Sequence, residues 1–142
     1  MTQEQLKNSM EIIQGAYAFA FVTNGVDGFP ICRNVLNLKD WNKTISELVV
    51  ITRAGSDKVV QVKKNKKGSL YFSLNEVFKT LLLKGTFRVD ETQETREKYW
   101  HDSFKQYGYQ GKDDKNLVVV FFKPTEGTTF INVQKDTFTI NA

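Results

Sequence analysis

Residues 51–65 read ITRAGSDKVVQVKKN, and the organisation of the chain can be worked outward from them. The preceding residues 47–52, ELVVIT, form a short run rich in β-branched side chains, as expected of a strand. Arg53 and Gly55 then mark a loop, and Ser56 stands where an N-cap belongs before a helix predicted over 57–64. Such a strand, loop and helix aim several donors at one place. Backbone N–H groups of the first helical turn, the hydroxyls of Thr52 and Ser56, and the cations of Arg53 and Lys58 can converge on an anion of phosphate size. The same residue types also suit an ordinary capped helix with solvated charges.

On the N-terminal side, residues 3–14 place Leu6, Met10 and Ile13 on one helical face. Residues 16–23 (AYAFAFVT) alternate small Ala16, Ala18 and Ala20 with aromatic Tyr17, Phe19 and Phe21, as in a barrel strand covered on its outside. The turn NGVDG (24–28) leads back into a second strand over 29–38, with Arg33 at its middle. A charge there requires a partner, a ligand or solvent. Residues 40–46 form a polar turn into the third strand.

On the C-terminal side, residues 69–74 and 77–89 read as a fourth strand and a long fifth one, with Gly85 marking a bulge or a close approach. Residues 90–107 read as one helix, opened by a capping box of Asp90 and Gln93 and ending before Gly108. Trp100, Phe104 and Tyr107 fall on one face of that helix, suited to core or interface. Asp113 and Asp114 are turn formers. A buried strand over 116–123, a turn at 124–127, a strand over 128–133 and a short edge strand at 137–140 complete the chain. The expected architecture is mainly β with flanking helices: a six- to seven-stranded antiparallel barrel forming a single domain over residues 1–142.

The composition narrows the function. With 142 residues, 40% of them hydrophobic, and with eleven Phe but only two Pro, the chain fits one ordered core. No apolar run approaches a membrane span and no secretory signal opens the chain, so a cytoplasmic protein is expected. A single cysteine and a single histidine argue against an intrachain disulfide and against a metal site. Cys32 is expected as a small buried hydrophobe, and His101 on the surface. The net charge of +4 raises the question of acidic partners. Lys63, Lys64, Lys66 and Lys67 cluster at a helix C-terminus, where the dipole favours cations, and no aromatic platform or recognition helix accompanies them. Nucleic acid is therefore not the expected partner.

The order of elements, with a TxxxSxK loop after the third strand, resembles the FMN-binding split-barrel family of pyridoxamine 5'-phosphate oxidase, and within it the general stress protein branch. Thr52, Ser56, Lys58, Gln61, Val62 and Asn65 fall in register with the family's T-N-x-x-S-R-K, Q-L and N-P positions. Arg33, Asn34, Val35 and Leu36 match its R-x-V-L motif, and residues 81–85 match a strand ending in Gly. Trp100 followed by GYQGKDD and a Val-rich strand is similar to the stress-protein branch.

The resemblance implies FMN, held at the interface of a homodimer. In that arrangement Arg33 and Lys58 bind the phosphate while Ser56 and Thr52 donate hydroxyl hydrogen bonds. Backbone groups of Asn34, Val35, Ile51 and Thr52 lie along the flavin ring, and Thr80 and Trp100 approach it from the other subunit. Asp57 stands where the family has a basic residue, a loss for which Arg53 could compensate. Leu38 stands at the substrate-binding lysine of the true oxidase, with Lys39 one step out of register, and the chain reaches Ala142 without that enzyme's Arg- and His-bearing tail. Pyridoxamine phosphate oxidation is accordingly not expected. The implied function is an FMN-dependent oxidoreductase with a small-molecule redox partner, no catalytic acid or base being identifiable. The short phosphate loop suits FMN better than FAD or a deazaflavin. The alternative is a non-catalytic stress or sensor module that carries flavin, haem or another planar ligand.

Overall fold

The computed structural model describes residues 1–141. Thr2 opens the first helix, α1 (Gln3–Gly15), with a capping box: its hydroxyl accepts from Gln5 N at 3.1 Å, and the Gln5 side chain accepts from Thr2 N at 2.8 Å. The helix turns Ile12 and Ile13 into the core. A hairpin follows, β1 (Ala18–Asn24) and β2 (Pro30–Leu36), then β3 (Leu48–Arg53), α2 (Asp57–Lys64), β4 (Lys67–Leu74) and β5 (Lys79–Asp90). The chain continues through α3 (Gln93–Tyr99), a 3-10 helix (Asp102–Tyr107), β6 (Leu117–Ile131) and β7 (Gln134–Thr139).

All seven strands join one antiparallel sheet in the order β2-β1-β4-β5-β6-β3, with β7 also on β6. This is the mainly β architecture with flanking helices expected from the sequence. Phe19 and Phe21 of β1 point inward and stack on Phe72 and Phe87 at 4.4 and 4.5 Å between ring centroids. Phe122 continues the column at 4.8 Å from Phe87. The outward Ala18, Ala20 and Val22 are half-buried.

The first half of β6 is buried on both faces, which explains its unbroken apolar run. Val118, Val120 and Phe122 belong to the main core, while Leu117, Val119 and Phe121 enter a second cluster with Leu38, Val49, Phe104 and Tyr109. Two buried amides tie the surrounding pieces together. Asn37 donates to the carbonyls of Ile13 and Ala16 at 2.7 and 2.9 Å, and Asn42 donates to Asn37 Oδ1 at 3.0 Å while accepting from Val49 N at 2.8 Å. The end of α1, the end of β2 and the start of β3 thus meet in one satisfied polar knot.

Several sequence expectations are corrected. The turn at 124–127 is absent, because β6 runs through Pro124 without reversing. Pro124 lies opposite Gly85, where the β5–β6 register shifts. A Cβ on Gly85 would collide with the Lys123 carbonyl, so the bulge and the missing side chain together admit the proline. The helix over 90–107 is two pieces. Asp90 still belongs to β5, and Thr92, not Asp90, caps α3. At Trp100 the backbone is extended (φ −67°, ψ 139°), and the 3-10 helix restarts after His101, whose ring accepts from Ser103 N. Phe104 is buried but Tyr107 is 42% exposed, so the aromatic stripe of a single helix does not form.

The fifth strand starts at Lys79, leaving Val77 and Phe78 exposed in the preceding turn, where Phe78 has φ 49°. The strand after β6 starts earlier than expected, at Gln134, behind a tight reversal at Asn132 and Val133 with φ 52° and 63°. Cys32 is exposed, because alternation along β2 turns it to the side opposite Arg33.

Gly85→Ala is expected to lower the unfolding free energy by about 2 kcal/mol, read by urea denaturation. Gly111→Ala, whose added Cβ would have its nearest neighbour at 3.4 Å, is expected to stay within about 0.5 kcal/mol.

Candidate functional site

The strand order leaves β2 and β3 at its two ends, and among the described residues both present a backbone edge without a strand partner. Leu36 and Leu38 line a hollow jointly with Ile51, Tyr107 and Tyr109, so the two ends approach each other there across an open seam. Beside it a second hollow contains Trp41, His101 and Phe104, with Leu36 and Leu38 common to both.

Arg33 reaches from β2 to α2. Its Nη1 donates to Thr23 Oγ1 at 2.8 Å, to Phe21 O at 3.3 Å and to Ile31 O at 3.4 Å, and its Nη2 donates to Gln61 Oε1 at 2.8 Å. Every one of these acceptors is neutral. Burial holds the Arg33 guanidinium below its usual pKa, partly opposed by Asp57. Lys58 is lowered as well, first by burial and then by the positive charge of Arg33, again with Asp57 opposing. Among the described residues neither cation forms an ion pair. The structure therefore keeps two mutually repelling cations near one helix N-terminus, an arrangement that an anion relieves.

The cap of α2 points the same way. Gly55, at φ 75°, turns the chain after β3, and Ser56 takes the N-cap backbone conformation (φ −64°, ψ 157°) without a side-chain cap hydrogen bond. Its hydroxyl lies 3.2 Å from that of the buried Thr52. Thr2 and Thr92, by contrast, do accept from the first turns of α1 and α3. The Ser56 hydroxyl thus pairs with Thr52 and leaves the first turn of α2 without a side-chain cap.

Arg53 does not join this group. Its Nη2 donates to Tyr107 O at 2.7 Å and its guanidinium lies over the Tyr109 ring at 5.1 Å, fastening the loop after the 3-10 helix to the end of β3. Gly108, at φ 96°, leaves room for it. Burial raises the Tyr109 hydroxyl pKa, opposed by Arg53 and reinforced by Asp114. Trp100 packs on Phe104 at 5.7 Å and donates to Asp102 at 3.0 Å, beside the second cluster. Val35 and Ile51 are half-buried and Asn34 is exposed, all on the two end strands. Thr80 lies elsewhere, on the outward face of β5 in a shallow hollow with Tyr71, Phe78, Leu82 and Phe130.

The family model described as pyridoxamine 5'-phosphate oxidase like matches residues 39–140. The chain belongs to the pyridoxamine 5'-phosphate oxidase-like family. Its fold is the split barrel of that family. A crystal structure of a Clostridium acetobutylicum protein related to general stress protein 26 of B. subtilis superposes with a TM-score of 0.87 at 26% identity, over 99% of this chain and 97% of that one. General stress protein 26 from Bacillus anthracis gives a TM-score of 0.75 at 17% identity, covering 97% and 100%. An FMN-binding protein related to pyridoxamine 5'-phosphate oxidase, from Nostoc punctiforme, gives 0.68 at 13%, covering 99% and 96%. No curated protein matches the chain in sequence.

In this pyridoxamine 5'-phosphate oxidase-like chain Gln61 falls in register with the family, and its contact with Arg33 is not among the expectations drawn from the sequence. One signal was available: Gln61 follows Lys58 by three residues and so shares its helical face. Among the described residues no cluster of three or more His, Cys, Asp or Glu stands in position to hold a metal ion, and no helix is long and apolar enough to cross a membrane. Asp114 accepts from Gln110 N and Asn116 N, the work of a turn former.

Because Ser56 makes no cap bond, Ser56→Ala is expected to change stability by less than about 0.5 kcal/mol, whereas Thr92→Ala is expected to cost about 1 kcal/mol. Urea midpoints of the two variants against the parent protein check both.

Proposed function

We propose that the family member described above binds FMN at the seam between β2 and β3 and works as an oxidoreductase on a small molecule. The observation that carries this reading is the pair Arg33 and Lys58, which form no ion pair among the described residues, have Asp57 as an opposing charge nearby, and stand beside the uncapped start of α2. A phosphate ester supplies the missing negative charge. Thr52 and Ser56 add hydroxyl donors. The apolar hollow of Leu36, Ile51 and Tyr109 suits a flat ring system, and the unpartnered edges at Asn34 and Val35 and at Ile51 and Thr52 offer backbone groups to its polar rim. A single phosphate subsite favours FMN over FAD or a deazaflavin.

When bound, FMN supplies the redox chemistry. The chain's own residues hold the phosphate, flank the ring and keep one approach open, past Trp41 and His101. Leu38 supports a function other than pyridoxamine phosphate oxidation. It is buried in the second cluster, and the neighbouring Lys39 is exposed.

A homodimer belongs to the same reading. The outward face around Tyr71, Phe78 and Phe130 is apolar and partly exposed, and it carries Thr80 at a distance from Arg33 in the sheet. A second copy seated on this face brings its own Thr80 and Trp100 to the flavin. Cytoplasmic location is likewise proposed.

The visible spectrum of the purified protein, taken before and after addition of FMN and gel filtration, is expected to show retained flavin bands. Arg33→Ala and Lys58→Ala should each raise the FMN dissociation constant about tenfold or more. A colourless protein that does not retain added FMN sinks the reading. Turnover with reduced nicotinamide separates the enzyme from a sensor: a loaded protein that neither accepts hydride nor reoxidises faster than free FMN is a binding module. Sedimentation at micromolar concentration should give twice the chain mass.

A further inference from the structure

Arg33, Thr23 and Gln61 form a closed triangle of hydrogen bonds. Arg33 donates to both of the others, at 2.8 Å each, and the Thr23 hydroxyl donates to Gln61 Oε1 at 2.6 Å. Thr23 is 1% exposed and Gln61 9%, so two polar side chains have been given up by water to make this contact. Gln61 sits between Val59 and Val62 on the buried side of α2, where an aliphatic residue would pack without that cost.

The chemistry of the triangle is specific. An arginine can only donate, so the Gln61 atom facing it is the carbonyl oxygen, and the orientation of the amide follows from its partner. Both acceptors are neutral. A carboxylate in place of Gln61 would hold Arg33 equally well and cancel its charge; an amide and a hydroxyl hold it and leave the charge intact. Arg33 Nε makes no hydrogen bond among the described residues, and neither does the Gln61 amide nitrogen. Lys58, on the same helical face as Gln61, feels the Arg33 charge. The short α2 thus carries Lys58 itself and, through Gln61, sets the orientation of Arg33.

We infer that Gln61, together with Thr23, is a positioning residue that presets the Arg33 guanidinium for a phosphate monoester, and that this triangle sets a preference for FMN over riboflavin. The inference rests on the flavin reading given above. Its basis is entropic as well as electrostatic: a long side chain on an edge strand is held in its bound orientation before the ligand arrives, so less freedom is lost on binding.

The test is the ratio of the riboflavin and FMN dissociation constants, obtained by titrating each flavin's fluorescence with the apoprotein. Loosened packing weakens both flavins alike and leaves the ratio unmoved, whereas a misplaced Arg33 weakens FMN alone. Gln61→Leu and Thr23→Val are each expected to lower the ratio about tenfold, while Thr23→Ser, which keeps the hydroxyl, stays within about twofold of the parent protein. Gln61→Glu preserves the shape and is expected to lower the ratio at least as far, because its carboxylate neutralises Arg33. A parent protein that binds FMN and riboflavin equally overturns the phosphate site and this inference together. A parent protein that prefers FMN, with Gln61→Glu and Gln61→Leu showing the same preference, overturns this inference and leaves the flavin reading standing.

Discussion

The close approach of β5 and β6 at Gly85 is the constraint on which the rest of the sheet depends. There the two backbones leave no space for a side chain, the register shifts, and Pro124 is accommodated inside a strand. On its other edge β6 serves two neighbours in succession, β3 along its first half and β7 along its second. Because Thr52 pairs with Val118 near the start of β6, the position of the loop that opens α2 follows from that strand. The strand that carries this irregularity is thus also the one that carries β3 and, through it, the loop of the candidate site.

Local signals were legible in the sequence wherever a short stretch decides its own conformation. The hairpin turn around Gly28, the boundaries of α2 behind Ser56, and the irregularity at Gly85 all belong to this class. Pro-Thr-Glu-Gly at 124–127 reads locally as a turn, and only the partner strand reveals that it continues straight. Residues 90–107 carry helical spacing throughout, yet the second cluster draws Phe104 inward and the chain breaks at Trp100 to allow it. The site divides along the same line. Arg33, Thr52, Ser56 and Lys58 carry visible chemistry and come into one neighbourhood, whereas Arg53 is claimed by Tyr107 and Tyr109 from a part of the chain more than fifty residues away. The contacts of Gln61 with Thr23 of β1 and Arg33 of β2 are ones that spacing along a helix does not disclose.

The electrostatics of the seam run against stability. Two cations near each other, each partly withdrawn from water, with Asp57 as the neighbouring opposing charge and no ion pair among the described residues, represent a cost to the folded chain. The uncapped first turn of α2 adds to it. The ion pairs elsewhere, such as Lys63 with Glu91 and Lys79 with Glu11, are substantially exposed and offset little of this. The local cost is thus concentrated at one seam, in a barrel whose aromatic core is otherwise well filled.

Arg33 also stands at the middle of a strand that lies at an end of the sheet. A strand with a free edge is a template for the edge of another chain, and β2 is such a strand along seven residues. Pro30 at its start contributes no donor to a ladder, and the inward-directed charge of Arg33 at its middle makes stacking of further strands costly. A charge at the middle of an edge strand is one of the features that discourage strand-to-strand pairing, so Arg33 bears on the solubility of the β2 edge independently of any ligand.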